Sequence, residues 1–393
     1  MGSNHDEPID PWRCEMILKS RLLLLCLVLA GALTASVQAD TWHVFADGSG
    51  DAPTIQAAAD SAAQGDTVLV HPGTYYESIY LYEKGVILKS QVGPEDTILD
   101  GSTTPDYVVY FDSVANATIE GFTIMNGTGG GDRGIVINGA GLSIRDNILR
   151  ESFTVSGGAG IQWLGSGIIE GNLFIDNEAE QGAGIYTGTS EGPVTIRGNT
   201  FIGNRASYRG GALYSGCDET VVEENLFLAN ESPMGSGIYN DDPIGVVRNN
   251  TFYGNIGSGG AITFRIISEA DIERNIIAGT VGGYALECEP GDGFFPTPHF
   301  LCNAFWDNDM GTATGAGCVE VFYHPGNFEA NPLFCDPETQ DFRLSENSPC
   351  APGNHPEGDP CGLIGAFDVG CEPVPVRARK SWGALKSLYG TEK

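Results

Sequence analysis

Basic charge is scarce in this chain. Its 393 residues include 51 Asp or Glu against 20 Lys or Arg, a formal net charge of −31. Between residues 40 and 372 the only lysines are Lys84 and Lys89. Such a surface repels nucleic acid and anionic membrane, and it repels polyuronates unless a divalent cation bridges. Helical periodicity is nearly absent as well, which excludes helical arrays. No pair of cysteines has the close CxxC spacing of a zinc site, and no metal centre is expected from them. The one long apolar run, Leu22–Ala35, is too short to span a bilayer.

What the chain does have is a recurring asparagine. It stands at Asn147, Asn172, Asn199, Asn225, Asn250, Asn275 and Asn303, each followed within two residues by Phe or Ile. A Phe-x-x-Asn phrase extends five repeats to a second asparagine, at Asn177, Asn204, Asn230, Asn255 and Asn308. Between these phrases lies a small-residue cluster ending in an aliphatic, as in Gly182-Ala-Gly-Ile185 and Gly210-Gly-Ala-Leu213. Self-similarity at this period means a solenoid whose units must stack to bury their apolar sides. Short β-branched runs such as Val194-Thr-Ile-Arg197 read as strands, with Gly, Asn and Asp in the turns between them. Two or three strands per turn with a buried corner asparagine describe an all-β, right-handed parallel β-helix. Stacked corner amides would satisfy turn groups that burial otherwise leaves unpaired.

These repeats resemble the pectin-lyase-like right-handed β-helix superfamily. Gly210-Gly-Ala-Leu213 and Gly259-Gly-Ala-Ile262, with Phe-x-x-Asn, also resemble the repeats of chlamydial polymorphic outer membrane proteins. The segment from Pro53-Thr-Ile-Gln to Gly73-Thr-Tyr75 is similar to the usual opening of such helices. The superfamily resemblance implies the fold and leaves function open among lyases, hydrolases, epimerases, adhesins and binding scaffolds. The polygalacturonase-like set of Asn-Thr-Asp, Asp-Asp, Gly-His-Gly and Arg-x-Lys is absent apart from Asp241-Asp242, and so is the pectate-lyase-like Trp-x-Asp-His.

The organisation follows from composition. Residues 1–39 read as a signal peptide with a polar preface: Lys19 and Arg21 precede Leu22–Ala35, and Val37-Gln-Ala39 forms a small-residue cleavage site. The protein is therefore expected to be secreted or held at the cell surface, as a monomer with no membrane span. Residues 40–107 hold an N-terminal cap and the first rungs. Thr54–Gln64 is an amphipathic helix with Ile55, Ala58, Ala59 and Ala62 on one face, suited to cover a strand edge. Residues 108–327 carry the repeats, 328–372 a Cys-rich C-terminal cap, and 373–393 a basic amphipathic tail. Eight cysteines follow the signal: Cys217, Cys288, Cys302, Cys318, Cys335, Cys350, Cys361 and Cys371. An even count in an exported chain makes all eight disulfide candidates, without assigning their connectivity.

Chemistry is sought on the outward strand face. Aligning the rungs on the aliphatic gives one outward column of Gln162, Tyr186, Tyr214, Tyr239, Thr263 and Glu287, and a second containing Asp241, Arg265 and Glu289. The expectation is an exposed tyrosine strip, Tyr186–Tyr214–Tyr239, that with Glu287 binds a polysaccharide or cell-surface glycan. Asp241, Arg265 and Glu289 beside it are the candidate catalytic residues if the protein is instead a lyase or glycoside hydrolase. Cross-strand packing accounts for the same residues without a ligand. No cofactor is required; Ca²⁺ is the one ion the acidity could recruit, with Asp241-Asp242 and Glu287/Glu289 as its nearest carboxylates.

Overall fold

The computed structural model describes residues 39–373, except 104–105, 128–132, 189–191, 217–218, 242–244, 266–269, 291–294 and 359–360. Residues 1–38, which hold the expected signal peptide and its preface, nearly all of the basic tail, Cys217 and Asp242 lie outside the described residues.

Three parallel sheets run the length of the repeats. The first has 11 strands, from Thr41–Val44 to His299–Leu301; the second has 10, from Ile79–Tyr82 to Ala313–Thr314; the third has 11, from Gly73–Tyr75 to Phe328–Glu329. Successive repeats pair in register, Ile169 with Ile196 in the first sheet and Phe174 with Phe201 in the third. This is the all-β parallel β-helix that the repeats predict. Its core is built of columns: Ile144, Ile169, Ile196, Val222 and Val247 point inward from the first sheet and are all buried. From the third sheet Phe174, Phe201, Phe227 and Phe252 stack at ring-centroid distances of 4.7, 4.9 and 4.5 Å.

Asparagine makes the corners. Between the first and third sheets each turn bends through one residue in the left-handed region, including Gly198 (φ 62°), Glu224 (φ 59°), Asn249 (φ 52°) and Arg274 (φ 52°). From Asp146 to Cys302 the next residue is the repeat asparagine at every such turn; one turn earlier Gly121 is followed by Phe122. The backbone N–H and the side-chain amide of Asn199 both donate to Asn225 Oδ1, at 2.8 and 3.1 Å. Asn225 does the same to Asn250, at 2.9 Å for both bonds, and its amide also reaches back to the Ile196 carbonyl at 2.9 Å. This ladder runs unbroken from Asn147 to Asn327, one rung further than the repeat phrase suggests. The second asparagines form a parallel ladder, Asn177–Asn204–Asn230–Asn255. From Asn147 to Asn303 the backbone N–H and the side-chain amide of each corner asparagine thus have acceptors.

The outward side of the first sheet carries a second regularity. Lys89, Glu120, Arg145, Glu170, Arg197, Glu223, Arg248 and Glu273 are register partners in sequence, so charge alternates at every rung. Four of the contacts are close ion pairs: Lys89–Glu120 at 2.7 Å, Arg145–Glu120 at 3.1 Å, Arg197–Glu170 at 2.6 Å and Arg248–Glu223 at 2.7 Å. Each exposed pair contributes little alone, but a slip of one rung would set like charges opposite each other. Four of the chain's 20 basic residues, Lys89, Arg145, Arg197 and Arg248, stand in this column. The other lysine, Lys84, caps the helix Ile55–Ser61, donating to the carbonyls of Ala59, Asp60 and Ala62.

Both ends are covered. Helix Ile55–Ser61 is shorter than the pattern over Thr54–Gln64; Thr54 is its N-cap, accepting from the Ala57 N–H, and Ile55, Ala58 and Ala59 are buried. At the other end the Cys-rich segment folds back along the outward side of the third sheet. Phe334, Phe342, Leu344 and Ile364 form a small core with Leu226, Leu228, Ile276 and Ala304. Backbone bonds from Gly365 to the Arg274 carbonyl (2.8 Å) and from Ala366 to Thr251 Oγ1 (3.0 Å) hold it there. Disulfides Cys288–Cys318, Cys302–Cys361 and Cys335–Cys371 pin the region. Cys350 departs from the expectation: it is a free thiol, fully enclosed in the cap core, where it packs as a small apolar side chain. Burial pushes that thiol up to about 12.

Two outcomes follow. Asn225→Ala should destabilise the fold by about 1–3 kcal/mol in denaturant unfolding, because it orphans buried donors on one rung and a carbonyl on another. Glu170→Lys should cost about 1 kcal/mol by placing three bases in a row, with the loss fading in 1 M salt, whereas Glu95→Lys, at an exposed turn outside the column, should not show that salt dependence.

Candidate functional site

The second sheet brings the tyrosine column together as aligned. Gln162, Tyr186, Tyr214, Tyr239, Thr263 and Glu287 are successive register partners. The tyrosine rings stack nearly parallel, with centroids 4.8 Å apart for Tyr186–Tyr214 and 5.6 Å for Tyr214–Tyr239.

The strip is not exposed, and this corrects the expectation. Tyr239 is 0% and Tyr214 7% exposed, and only Tyr186 is half-buried. The cause is the small-residue phrase that precedes each strand. A Cβ on Gly157 would lie 2.5 Å from the Tyr186 ring, and one on Gly182 would lie 2.9 Å from the Tyr214 Cβ. The glycine turn of one rung therefore closes over the tyrosine of the next. Gly182 itself has φ +53° and comes so close to the Ile185 carbonyl that no larger residue fits. The Arg209 guanidinium completes the cover, 4.7 Å above the centroid of the Tyr239 ring.

The ionic candidates converge at the end of this stack. The Tyr214 hydroxyl donates to Asp241 Oδ2 at 2.5 Å, and Arg265 donates to Asp241 Oδ1 at 3.2 Å. Arg265 pairs in register with Glu289, which accepts from the Tyr239 hydroxyl at 3.2 Å. Glu287 accepts from the Gly260 N–H at 3.0 Å and the Thr263 hydroxyl at 2.9 Å. Burial, then the bond to Asp241, pushes the Tyr214 phenol far above its ordinary range; burial, then the Glu289 charge, does the same to Tyr239. Both phenols are thus held as donors, Tyr214 to Asp241 and Tyr239 to Glu289. Asp241, Arg265, Glu289 and Glu287 each have a protein partner, so the cluster is a satisfied network at the rim of a packed stack. Among the described residues no three His, Cys, Asp or Glu side chains converge as a metal site would require. A depression of about 350 Å³ on the first sheet is lined by Arg145, Glu170 and Arg197 of the charge column, already paired with one another or with neighbours.

An open aromatic surface does exist on the second sheet, at rungs that precede the aligned phrase. Tyr80 pairs in register with Tyr110, and the column continues through Val136 to Gln162. Tyr82, Asp112 and Asn138 form the adjacent column. Tyr82 is 51% and Tyr80 37% exposed, while Tyr107 and Tyr110 are half-buried beneath them. The rings of Tyr80 and Tyr82 lie parallel at 6.2 Å; Tyr110 meets Tyr80 edge-on at 5.5 Å and Tyr107 at 5.3 Å. Asp112 accepts from the Tyr80 hydroxyl (2.6 Å) and from the Asn138 amide (3.3 Å). That bond to Asp112, first among the causes, pushes the Tyr80 phenol up to about 12. These strands lack the glycine phrase on which the rungs were aligned. The spacings Tyr80-x-Tyr82 and Tyr110-x-Asp112 were the available signal.

This chain is a parallel β-helix with aromatic and carboxylate columns on one outward face. A family profile described as "Periplasmic copper-binding protein (NosD)" matches residues 59–256, just over half of the sequence, and the chain belongs to that family. No functionally curated protein matches it. Among solved structures, a mannuronic acid specific polysaccharide family 6 lyase from human gut microbiota is 14% identical, with 71% of this chain and 77% of that one covered at a TM-score of 0.43. A pectin methylesterase from Aspergillus niger is 13% identical over 76% of this chain and 92% of that one, at 0.40. The carrot pectin methylesterase is 16% identical over 82% and 94%, at 0.37. No site residue is carried over from them. The family is described as periplasmic, and three disulfides accord with an oxidising compartment. No helix among the described residues is long and apolar enough to cross a membrane.

Because Tyr239 is core rather than platform, Tyr239→Ala should cost about 3 kcal/mol in equilibrium unfolding. Tyr82→Ala should stay within about 0.5 kcal/mol of the parent.

Proposed function

We propose that this protein is an exported β-helix scaffold, secreted or displayed at the cell surface as a monomer, that holds a carbohydrate chain on the Tyr80, Tyr82, Tyr107 and Tyr110 cluster. The observation that carries this reading is the exposure of two parallel tyrosine rings above a carboxylate and an amide. Aromatic faces pack against the C–H faces of sugar rings, and Asp112 and Asn138 supply the polar groups that orient hydroxyls. The acidity of the chain favours neutral glycans and disfavours polyuronates, unless Ca²⁺ bridges. The chlamydial likeness of the repeats fits a surface-adhesive role and rests on the quoted motifs alone.

The family description names copper. Copper takes imidazole, thiolate or thioether ligands. Residues 59–256 contain one histidine, His71, one cysteine, Cys217, and two methionines, Met125 and Met234, on different rungs. The nearest imidazole to His71 is His43, with ring nitrogens 3.0 Å apart, and no third such ligand joins them among the described residues. The matched residues do not fit copper, and no function is routed through it.

A polysaccharide-cleaving enzyme is the second reading, favoured by the convergence of Asp241, Arg265 and Glu289 on one rim. It requires Asp241→Asn or Glu289→Gln to abolish product release while glycan binding survives. For the binding reading, a glycan array with and without Ca²⁺ should return neutral glycans. The Tyr80→Ala/Tyr82→Ala double variant should then lose about tenfold in affinity while remaining folded. Unchanged binding by that variant would sink the platform.

A further inference from the structure

Asp66 is a buried carboxylate that no functional reading uses. It is 4% exposed and sits where the first strand, Thr41–Val44, lies beside Thr67–Val70. Three N–H groups converge on it: Ala63 N–H on Oδ2 at 2.8 Å, the Trp42 indole on Oδ2 at 3.3 Å, and the backbone N–H of Asp40 on Oδ1 at 2.9 Å. The Asp40 carbonyl in turn accepts from the Thr67 N–H at 2.9 Å, so Asp40 is fixed on both sides of its own Cα. The folded unit begins at this residue, and both Ala39 and Asp40 are exposed. The small-residue cleavage motif ends at Ala39.

We propose that Asp66 is a receptor for the amino terminus created when an export peptidase cuts between Ala39 and Asp40. Water adds across that peptide bond: the C–N bond breaks, the hydroxyl joins the Ala39 carbonyl carbon, and the proton goes to the Asp40 nitrogen. At neutral pH the freed amine takes up a second proton. The neutral N–H donor at 2.9 Å from Asp66 Oδ1 becomes an ammonium at the same place, and a charge-assisted bond replaces an ordinary one. Processing thereby fastens the edge strand that would otherwise fray, and joins it to the segment after the cap helix through Ala63. The inference depends on removal of residues 1–39 and is independent of any glycan.

The sign of the pH dependence is set by the amine, because Lys84, the cation that also acts on Asp66, is common to the cut and uncut forms. A carboxylate partner raises the folded α-amino pKa above its ordinary value of about 7.7–8.0. The added stability is therefore complete below that range and disappears as pH rises through the raised value.

The test compares the exported protein with chains begun at Asp40 and at Ala39. Mass spectrometry of the exported protein should place its first residue at Asp40; a mature terminus elsewhere overturns the proposal. At pH 7 the Asp40 form should melt at least about 2 °C above the Ala39 form, and the gap should close near pH 10. Asp66→Asn should remove the gap; a persistent gap in that variant overturns the assignment to Asp66. Should Asp66→Asn not fold, acylation of the α-amine at pH 8 decides instead. The native Asp40 form should react at least tenfold more slowly than the unfolded chain, and equal rates would overturn the proposal.

Discussion

The amide-to-amide bond between asparagines of successive rungs is the constraint on which the rest depends. A parallel β-helix must turn its backbone sharply inside a packed body, and each turn strands donors and acceptors away from water. Here one residue in the left-handed region makes the bend. The following asparagine presents Oδ1 to two donors of the rung before it and sends one amide hydrogen each way along the axis. A rung that slipped by one residue would lose all of these bonds together, and it would turn the phenylalanines of the third sheet outward. Register is thus set at the corners and inherited by the strands.

Register also decides the surface. Because every outward position is copied from rung to rung, chemistry appears as columns rather than scattered residues. One column alternates acid and base from Lys89 to Glu273. Another begins with tyrosines at Tyr80 and Tyr110 and returns to tyrosine at Tyr186. What separates the open part from the closed part is glycine. Gly157 and Gly182 fold over Tyr186 and Tyr214 of the next rung, and Arg209 covers Tyr239; Tyr80 and Tyr82 stay exposed. Ligand access on this face is therefore governed by backbone, and the aromatic rings that remain open lie near the capped N-terminal end.

Much of the fold was legible in the sequence, for physical reasons particular to these repeats. Asparagine at a fixed period has few explanations other than a stacked corner, and the apolar face of Ile55, Ala58, Ala59 and Ala62 reads as a helix that covers a strand edge. Legibility ended where effects act between rungs. The glycine phrase is visible as a turn, but its passage over the tyrosine of the next rung depends on three-dimensional closeness, so Tyr214 and Tyr239 looked exposed. The charge column was hidden because its successive members are 25 to 31 residues apart and only pairing brings Glu170 to Arg197. Cys350 followed the even count of cysteines on paper, yet the cap core needed a small apolar side chain there. The acidic and basic residues aligned as Asp241, Arg265 and Glu289 do meet, but as partners that satisfy one another.

The central claim, that corner amides lock the rungs, is tested most directly by native-state hydrogen exchange at single-residue resolution. The backbone N–H groups of Asn172, Asn199, Asn225 and Asn250 all donate to an asparagine Oδ1 of the next rung. They should be among the slowest in the molecule, opening only with global unfolding and at a common free energy. Corner amides that exchange by local opening, ahead of the strand amides on either side, would contradict the account.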